Sequence, residues 1–487
     1  MPDCRGETPL LSRQERVTAT LRRIQFRYNL SRIPSPGVRR ARPTHDRQTG
    51  HVTRALDRDI RRLALPALGA LVAEPLFLLT DTALVGHLGS VPLAGLGIAS
   101  VIIQTVVGLL VFLAYATTPM VARRLGSGDT TGAVRAGIDG VWLALAVGAL
   151  LVAVGAPLAS GVVGLFGATA PVSAAAGTYL AIALWGIPAL LVTLAASGLL
   201  RGLQDTTTPL VVAGVGFAVN AVLNAVFIYG FDWGIAGSAV GTVVASWGMA
   251  AAYLVIIVRS ARSTGASLTP HVSGIGSALR SGCWLLLRTA SLRVAMLATV
   301  VVATDFGTAQ LAAIQIALTV FSTLAFVLDA LAIAGQAMIG HGLGASDVPR
   351  VRAITTRLLR FGVGGGALLG VAIAALSPVL PFVFTTDDAV SGPLTLVLLV
   401  MAAGIPVAGY VFVLDGVLIG AGDARYLALT GVLNLAVYLP LLWLTSGLPG
   451  TAGVLALWAA FGLGYMGARA VTLGLRARGE RWMVTGA

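Results

Sequence analysis

The stretch LGSGD at Leu125–Asp129 recurs as LGASD at Leu343–Asp347, and this repeat decides the fold. Two further pairs of stretches recur in the same order: GIP at Gly186–Pro188 and Gly404–Pro406, then GLQD at Gly202–Asp205 and GAGD at Gly420–Asp423. The members of every pair lie 218 residues apart. Three equal offsets indicate an internal duplication, which predicts two similar halves in the same orientation.

The residues between these stretches are too apolar for a soluble protein. Apolar residues make up 56% of the 487 and charged residues 11%, whereas soluble domains carry about a quarter charged residues. Runs long enough to cross a bilayer predict twelve spans. These spans are 63–85, 93–122, 137–160, 172–200, 209–230, 235–258, 278–303, 310–340, 358–376, 390–419, 427–446 and 452–475.

The repeat and the spans together predict an all-α integral membrane protein. Its twelve transmembrane helices form two six-helix lobes related by a pseudo-two-fold axis along the membrane normal, a transporter architecture with the substrate path between the lobes. The predicted parts are a basic, disordered cytoplasmic arm (1–58), an N-lobe with helices 1–6 (59–262), a cytoplasmic linker (263–277), and a C-lobe with helices 7–12 and a short basic tail (278–487).

The net charge of +13 comes entirely from arginines, and their positions predict the topology. Of the 33 arginines, 15 lie between Arg5 and Arg62, before the first span, and most of the others fall in alternate loops or in the tail. The loops on the opposite side contain no arginine. By the positive-inside rule, both termini are cytoplasmic and the protein belongs in the bacterial inner membrane. The basic arm is expected to contact anionic lipid headgroups rather than nucleic acid.

Asp81 is the first candidate functional residue, because an ionisable side chain inside a membrane costs about 3 kcal/mol or more. It follows Pro66 and Pro75 on the first span, and each proline frees a carbonyl group and permits a bend. The alternative is that Asp81 lies close to the outer loop and only caps the helix.

Asn220, Asn224 and Thr242 are predicted neighbours of Asp81. The two asparagines are four residues apart on the fifth span, so they share one helix face, and Thr242 lies on the sixth span. Desolvation disfavours a buried carboxylate and donated hydrogen bonds favour it, a balance that suits a proton carrier. The alternative is that the amides only hold helices together.

Several motifs resemble the multidrug and toxic compound extrusion (MATE) transporters, in particular their DinF-like branch. They are EPLFLLTDTALVGHLG at Glu74–Gly89, the repeated Leu-Gly-x-x-Asp, the Gly-x-x-Asp after spans 4 and 10, and FVLDALAIAGQ at Phe326–Gln336. The resemblance covers about residues 59–475. It implies a cation-coupled antiporter in which H⁺, or alternatively Na⁺, enters as an organic compound or drug is expelled.

The resemblance also assigns residues. Asp81 matches the carboxylate of the first span and Pro66 its bend-permitting proline, Tyr179 matches a tyrosine of the N-lobe network, and Asn220 and Thr242 match its asparagine and threonine. Asn224 stands where well-known archaeal members have a second aspartate, and Ser197 replaces an asparagine. A single carboxylate favours coupling to one proton and weakens the case for Na⁺, which prefers more charged oxygen ligands.

Charged residues in the second half form a candidate substrate cavity. Asp329 and Asp415 are expected to attract a cationic substrate, with Arg288 able to compensate one of them and Glu74 as a further candidate. The alternative is that the C-lobe residues form structural ion pairs.

Two other functions are weighed against the antiporter. A lipid-linked oligosaccharide flippase of the same superfamily would carry extra spans and several arginines in its cavity to bind pyrophosphate. Arg288 and Arg293 leave this alternative partly open, but the twelve spans and Asp81 argue against it. A membrane-embedded enzyme is disfavoured, because the spans lack HExxH, GxSxG and Asp-rich motifs. The histidines are scattered and the cysteines are only two, so we expect no metal site and no cofactor. The expected partners are small organic substrates, and the expected state is a monomer.

Overall fold

The structure is a computed structural model that describes residues 45–486, with side chains from residue 54 onward. The chain divides into two units, Met1–Ala55 and Leu56–Ala487, and the architecture below is that of the second unit. Residues 1–44 of the predicted arm lie outside the described residues. Residues 45–58, which the sequence assigned to a disordered arm, are helical, because the first helix continues beyond its apolar run.

Within residues 45–486, twelve helices are long and apolar enough to cross a membrane. The first, α1, runs over His45–Gly86, and its apolar part is Arg54–Gly86. The others are α2 Ser90–Gly126, α3 Thr130–Gly164, α4 Ala170–Gly202, α5 Thr207–Gly230, α6 Gly234–Thr264, α7 Val272–Thr304, α8 Thr308–Gly344, α9 Val348–Leu376, α10 Asp388–Gly420, α11 Ala424–Thr445 and α12 Gly450–Arg478.

Several of these helices contain local irregularities. A turn at Val111 interrupts α2, and a 3₁₀ turn at Leu184–Gly186 precedes Pro188 in α4. The end of α5 at Val226–Gly230 and the middle of α12 at Ala460–Tyr465 are π-helical. Such turns often mark functional segments in helices.

The backbone carries the same duplication as the sequence. Four pairs of residues with a left-handed backbone are each separated by 218 positions: Gly89 and Gly307, Gly128 and Ser346, Gln204 and Gly422, and Asp232 and Gly450. The two halves therefore turn at equivalent points, as two six-helix repeats require.

The aspartates of the repeated motif explain where two helices begin. Asp129 accepts a hydrogen bond from the Gly132 amide at 2.7 Å, and Asp347 accepts one from the Arg350 amide at 3.0 Å. These N-caps start α3 and α9 well before their predicted apolar runs, because a capped helix continues outside the hydrocarbon layer.

The linker between the lobes is shorter than predicted. Since α6 ends at Thr264 and α7 begins at Val272, the connection is 265–271 rather than 263–277. It is attached to α3, because the His271 amide donates to Asp139 at 3.0 Å and the Trp142 indole donates to the Leu268 carbonyl at 2.9 Å.

The lobes meet on the arginine-rich side through the glycines of the repeated motif. A Cβ at Gly126 would lie 2.9 Å from the carbonyl carbon of His341, and one at Gly344 would lie 2.7 Å from that of Arg123. Backbone therefore packs against backbone at this point, as small residues permit between membrane helices. The lobes are closed together on this side.

Candidate functional site

The Asp81 side chain lies buried between α1, α4, α5 and α6, with 4% of its residue surface exposed. Its Oδ1 accepts hydrogen bonds from Ser238 Oγ at 2.6 Å and from Asn224 Nδ2 at 2.8 Å. Its Oδ2 has a longer contact, 3.5 Å, with the Tyr179 hydroxyl. Oδ1 is thus held by two donors, and Oδ2 has one longer contact.

The network extends from Asp81 along one face of α5. Asn224 Nδ2 also donates to Asn220 Oδ1 at 3.1 Å, and Asn220 Nδ2 donates to Thr242 Oγ1 at 3.1 Å. The structure therefore brings together five of the predicted residues. We call them, with Ser238, the Asp81 cluster: Asp81, Tyr179, Asn220, Asn224, Ser238 and Thr242.

Ser238 was missed by the sequence analysis. It is fully buried on α6 and lies four residues before Thr242, so the two side chains share a helix face. The same spacing that singled out the asparagines on α5 could have found it. Serine in an apolar helix is too common a packing residue for that spacing to stand out.

Two glycines let α6 approach α5 closely enough to complete the cluster. A Cβ at Gly237 would lie 2.7 Å from the Phe227 backbone, and one at Gly241 would overlap the Asn224 amide oxygen. That oxygen, Asn224 Oδ1, is buried and has no hydrogen-bond partner within the described residues. The cluster therefore retains one unused acceptor beside the carboxyl group.

Ser197 does not join the cluster. Its hydroxyl donates to the Leu194 carbonyl of its own helix at 2.8 Å, as serine often does in apolar helices. Pro66 and Pro75 lie inside the continuous helix α1, between its arginine-rich end and Asp81. They are therefore positioned where a bend would move the two ends of α1 relative to each other.

The position in the C-lobe that is equivalent to Asp81 has no carboxyl group. The 218-residue offset relates Asp81 to Thr299 and Asn220 to Tyr438, and these two hydroxyls share a hydrogen bond of 2.7 Å. Aromatic side chains pack around Tyr438, with the Phe461 and Tyr465 rings at centroid distances of 6.2 and 5.1 Å. The duplicated site has become an aromatic core, so the buried carboxyl group at this level belongs to the N-lobe alone.

Helix α1 contacts both lobes. Its outer half belongs to the N-lobe, where Phe77 stacks on Phe217 of α5 at 5.1 Å. Its arginine-rich half contacts the C-lobe, since Ala67 packs against α8 and Asp57 accepts two hydrogen bonds from Arg357 of α9. A change at Asp81 can therefore reach the lobe interface through this helix.

The charges of the C-lobe form an ion-paired cluster rather than a free acidic site. Asp415 is ion-paired with both Arg288 of α7 and Arg469 of α12, and we call these three residues the C-lobe cluster. The expectation that Asp415 attracts a cationic substrate is not supported by this geometry, because both of its oxygens are bound to arginine. Arg469 was missed, although an arginine inside an apolar span was a visible signal.

The other two candidates are placed differently. Asp329 accepts a hydrogen bond of 3.3 Å from the Tyr115 hydroxyl of α2, so it lies where the lobes face each other. Glu74 is exposed on α1 and forms no ion pair within the described residues. Neither residue belongs to the C-lobe cluster.

Replacing Asp415 by asparagine is expected to destabilise the protein strongly. The change leaves two buried guanidinium groups without a counter-charge, which costs about 3–5 kcal/mol. Unfolding of the purified protein in detergent, followed by tryptophan fluorescence, measures the loss. Arg288→Gln is the matched control, because it leaves Asp415 paired with Arg469 and should cost far less. Equal stabilities of the two variants would contradict this description of the cluster.

Twelve helices long and apolar enough to cross a membrane, in two repeated lobes, define a multi-pass membrane protein. The MatE family profile matches residues 66–226 and 285–444. The chain belongs to the MatE family. It is therefore a MATE-type transporter rather than an enzyme, and proteins of this family need no cofactor.

Individual relatives agree with this assignment. Protein DETOXIFICATION 42 of Arabidopsis thaliana is 30% identical over 470 residues, covering 85% of this chain and 90% of the relative. DNA damage-inducible protein F of Escherichia coli K12 is 28% identical over 296 residues, covering 60% and 64%, consistent with the DinF-like branch. The crystal structure of the Vibrio cholerae MATE transporter VcmN in the bent form has a TM-score of 0.81 at 23% identity, covering 89% of this chain and 99% of that one. This likeness confirms the predicted two-lobe fold.

Proposed function

We propose that the protein is a proton-coupled antiporter that exports small organic compounds by alternating access, with Asp81 as the proton carrier. The observation that carries the proposal is the buried carboxyl group of Asp81 within a hydrogen-bonding cluster on one lobe. Such a group exchanges a proton only when its surroundings open, which couples its charge to the conformation of the protein.

The proposed cycle begins with protonation of Asp81 from the outer side. A neutral carboxyl group no longer needs both donors on Oδ1, so the contacts of Asp81 with Ser238 and Asn224 loosen. Helix α1 then bends between Pro66 and its outer end, which changes its contacts with α8 and α9 of the C-lobe and releases substrate outward. Loss of the proton to the arginine-rich side restores the cluster.

The driving force of one proton is sufficient for export. A proton that enters gains about 2.3 kcal/mol per 100 mV of membrane potential, and about 1.4 kcal/mol per unit of pH difference. Together these sustain a concentration gradient of roughly 500-fold for a neutral substrate. A single carboxyl group is therefore enough for drug export.

The hydrogen bonds around Asp81 favour a proton over Na⁺. The groups that contact its oxygens are the amide N–H of Asn224 and the hydroxyls of Ser238 and Tyr179, which donate to it. Na⁺ would need several oxygen ligands directed at one point, whereas within the described cluster Asn224 Oδ1 is the one unused amide oxygen and Asn220 Oδ1 already accepts from Asn224. Asn224 in place of a second carboxylate removes further negative charge.

We further propose the membrane in which the protein resides, its orientation and its oligomeric state. The arginine distribution supports a location in the bacterial inner membrane with both termini cytoplasmic and the basic arm near anionic lipid. Transporters of this two-lobe plan have their substrate path between the halves of one chain, which supports a monomer. Nothing in this arrangement calls for nucleic acid as a partner.

The test is uptake of fluorescent dyes into everted membrane vesicles that contain the protein, with H⁺ and Na⁺ gradients imposed separately. Dyes of both charge signs are used, so that the result does not depend on substrate charge. We expect an inward-acid pH gradient to drive accumulation of at least one dye and a Na⁺ gradient at constant pH to drive none. Accumulation driven by Na⁺ alone would reject proton coupling.

A further inference from the structure

A small cavity inside the C-lobe lies beside the C-lobe cluster and is not used by the proposed coupling mechanism. It is enclosed by α7, α10, α11 and α12. The polar and aromatic residues that line it are Arg288, Asp415, Thr430, Asn434, Tyr465 and Arg469.

The fixed charges around this cavity do not balance. Both guanidinium groups donate to Asp415 Oδ2, and Arg288 Nε also contacts Oδ1 at 3.3 Å, so one carboxylate serves two arginines. The next carboxylate, Asp329, lies within electrostatic range of Arg288 but also of Arg201 on the N-lobe. The three residues of the C-lobe cluster therefore carry a net charge of +1 among themselves.

The two arginines also retain unused hydrogen-bond donors. A guanidinium group has five N–H donors, and Asp415 takes up only some of them. The only partner of Arg469 Nη1 within the described residues is Met466 Sδ at 3.8 Å, and a thioether is a weak acceptor. Buried, uncompensated guanidinium groups with free donors bind carboxylate or phosphate oxygens.

We propose that Arg288 and Arg469 bind the oxyanion group, carboxylate or phosphate, of the exported compound. The proposal rests on the proposed export function and names the substrate class as organic anions. Asp415 keeps the two guanidinium groups together when the cavity is empty and holds them in position for the ligand. It does not offer a cation a free carboxylate, because both of its oxygens are paired.

The charge of the substrate changes the energetics of exchange. One proton entering for one monoanion leaving moves two positive charges inward, so the membrane potential drives this exchange. One proton entering for one monovalent cation leaving moves no net charge, so that exchange does not respond to potential. Whether the transport rate responds to membrane potential therefore distinguishes an anionic from a cationic substrate, independently of any binding measurement.

The first test is equilibrium binding to the purified full-length protein in detergent, with two dyes that share a xanthene core. Carboxyfluorescein is the anionic probe and rhodamine 6G the cationic probe. We expect saturable binding of carboxyfluorescein that weakens at least 10-fold in Arg469→Gln and in Arg288→Gln, each of which keeps one arginine paired with Asp415. Arg280→Gln is the control, because Arg280 is an exposed residue on the same helix α7, outside the cluster.

Competition distinguishes the two sources of an oxyanion. Displacement of carboxyfluorescein by inorganic pyrophosphate supports a site for soluble anions, and displacement by farnesyl diphosphate alone supports a site for a lipid headgroup. Three results would overturn the proposal: no saturable carboxyfluorescein binding, tighter binding of rhodamine 6G, or equal loss of binding in Arg280→Gln.

The second test measures uptake of the same dyes into everted vesicles at fixed pH difference, with and without an inside-positive potassium diffusion potential. We expect the potential to accelerate carboxyfluorescein uptake and to require both arginines. Proton-driven uptake of rhodamine 6G, unaffected by potential and by Arg469→Gln, would reject the anion site and leave proton-coupled export intact. Absence of any proton-driven uptake alongside arginine-dependent binding would instead reject the coupling proposal.

Discussion

Replacing Gly344 by valine is expected to abolish transport by holding the arginine-rich side of the protein open. In the closed arrangement, a Cβ at this position would lie 2.7 Å from the carbonyl carbon of Arg123 and 2.8 Å from its Cα. Main-chain atoms cannot rotate away as a side chain can, so α2 and α8 must separate. Overpacking of this kind costs about 3 kcal/mol or more, which lowers the population of the closed state roughly 100-fold.

The effect should be visible in both function and distance. We expect dye uptake into everted vesicles to fall at least ~100-fold, since every transport cycle passes through the closed state. Spin labels at Ser127→Cys and Ala345→Cys, with Cys4 and Cys283 replaced by serine, report the separation of the two lobes by electron–electron double resonance. The valine variant should show only the longer distance.

Gly364→Val is the matched control for the glycine substitution. Gly364 is exposed on α9, and a Cβ there would meet nothing within 4 Å. This variant carries the same change in helix propensity and side-chain volume without the backbone overlap, so its transport should be close to wild type. A Gly344→Val protein that transports normally, or that shows the short distance, would contradict the role assigned to this contact.

Replacing Asp81 by asparagine is expected to abolish pH-driven transport without unfolding the protein. The asparagine amide oxygen can still accept from Ser238 and Asn224, so the packing of the cluster is preserved, but the side chain can no longer gain or lose a proton. We expect pH-driven uptake to fall to the level of vesicles without the protein, and the unfolding midpoint to stay within a few degrees of wild type.

Thr299→Val is the matched control for Asp81→Asn, because Thr299 occupies the equivalent position in the C-lobe. Loss of its hydrogen bond with the buried Tyr438 hydroxyl costs about 1–3 kcal/mol and removes no carboxyl group. Uptake by this variant should remain driven by pH. If Thr299→Val lost coupling and Asp81→Asn kept it, the functional asymmetry assigned to the two lobes would be reversed.

Much of the fold follows from features that can be read directly from the sequence. The offset of 218 residues between the glycine motifs reappears as equally spaced left-handed turns, because tight turns between helices depend on a few local residues. The lengths of α3 and α9 were less predictable, because the apolar run ends at the hydrocarbon boundary whereas a capped helix continues into water. The Asp129 and Asp347 caps mark those true starts.

The site was predictable only where a polar residue interrupts an apolar span. Asp81 and the asparagines of α5 stand out for that reason, and helix periodicity places Asn220 and Asn224 on one face. Ser238 required the structure, because side-chain partners on distant helices depend on how the helices rotate and cross. Arg469 interrupts an apolar span and was overlooked. The pairing of Asp415 with two arginines could not be read from spacing, which left a cation site equally plausible at the level of sequence.

The most direct test of the account is infrared difference spectroscopy of the purified protein during a pH titration. A protonated carboxyl group in a membrane protein gives a C=O stretching band separate from those of carboxylates and amides. We predict one such band that disappears on deprotonation in wild type and Thr299→Val and is absent from Asp81→Asn. The same band with the same midpoint in Asp81→Asn would show that another group carries the proton.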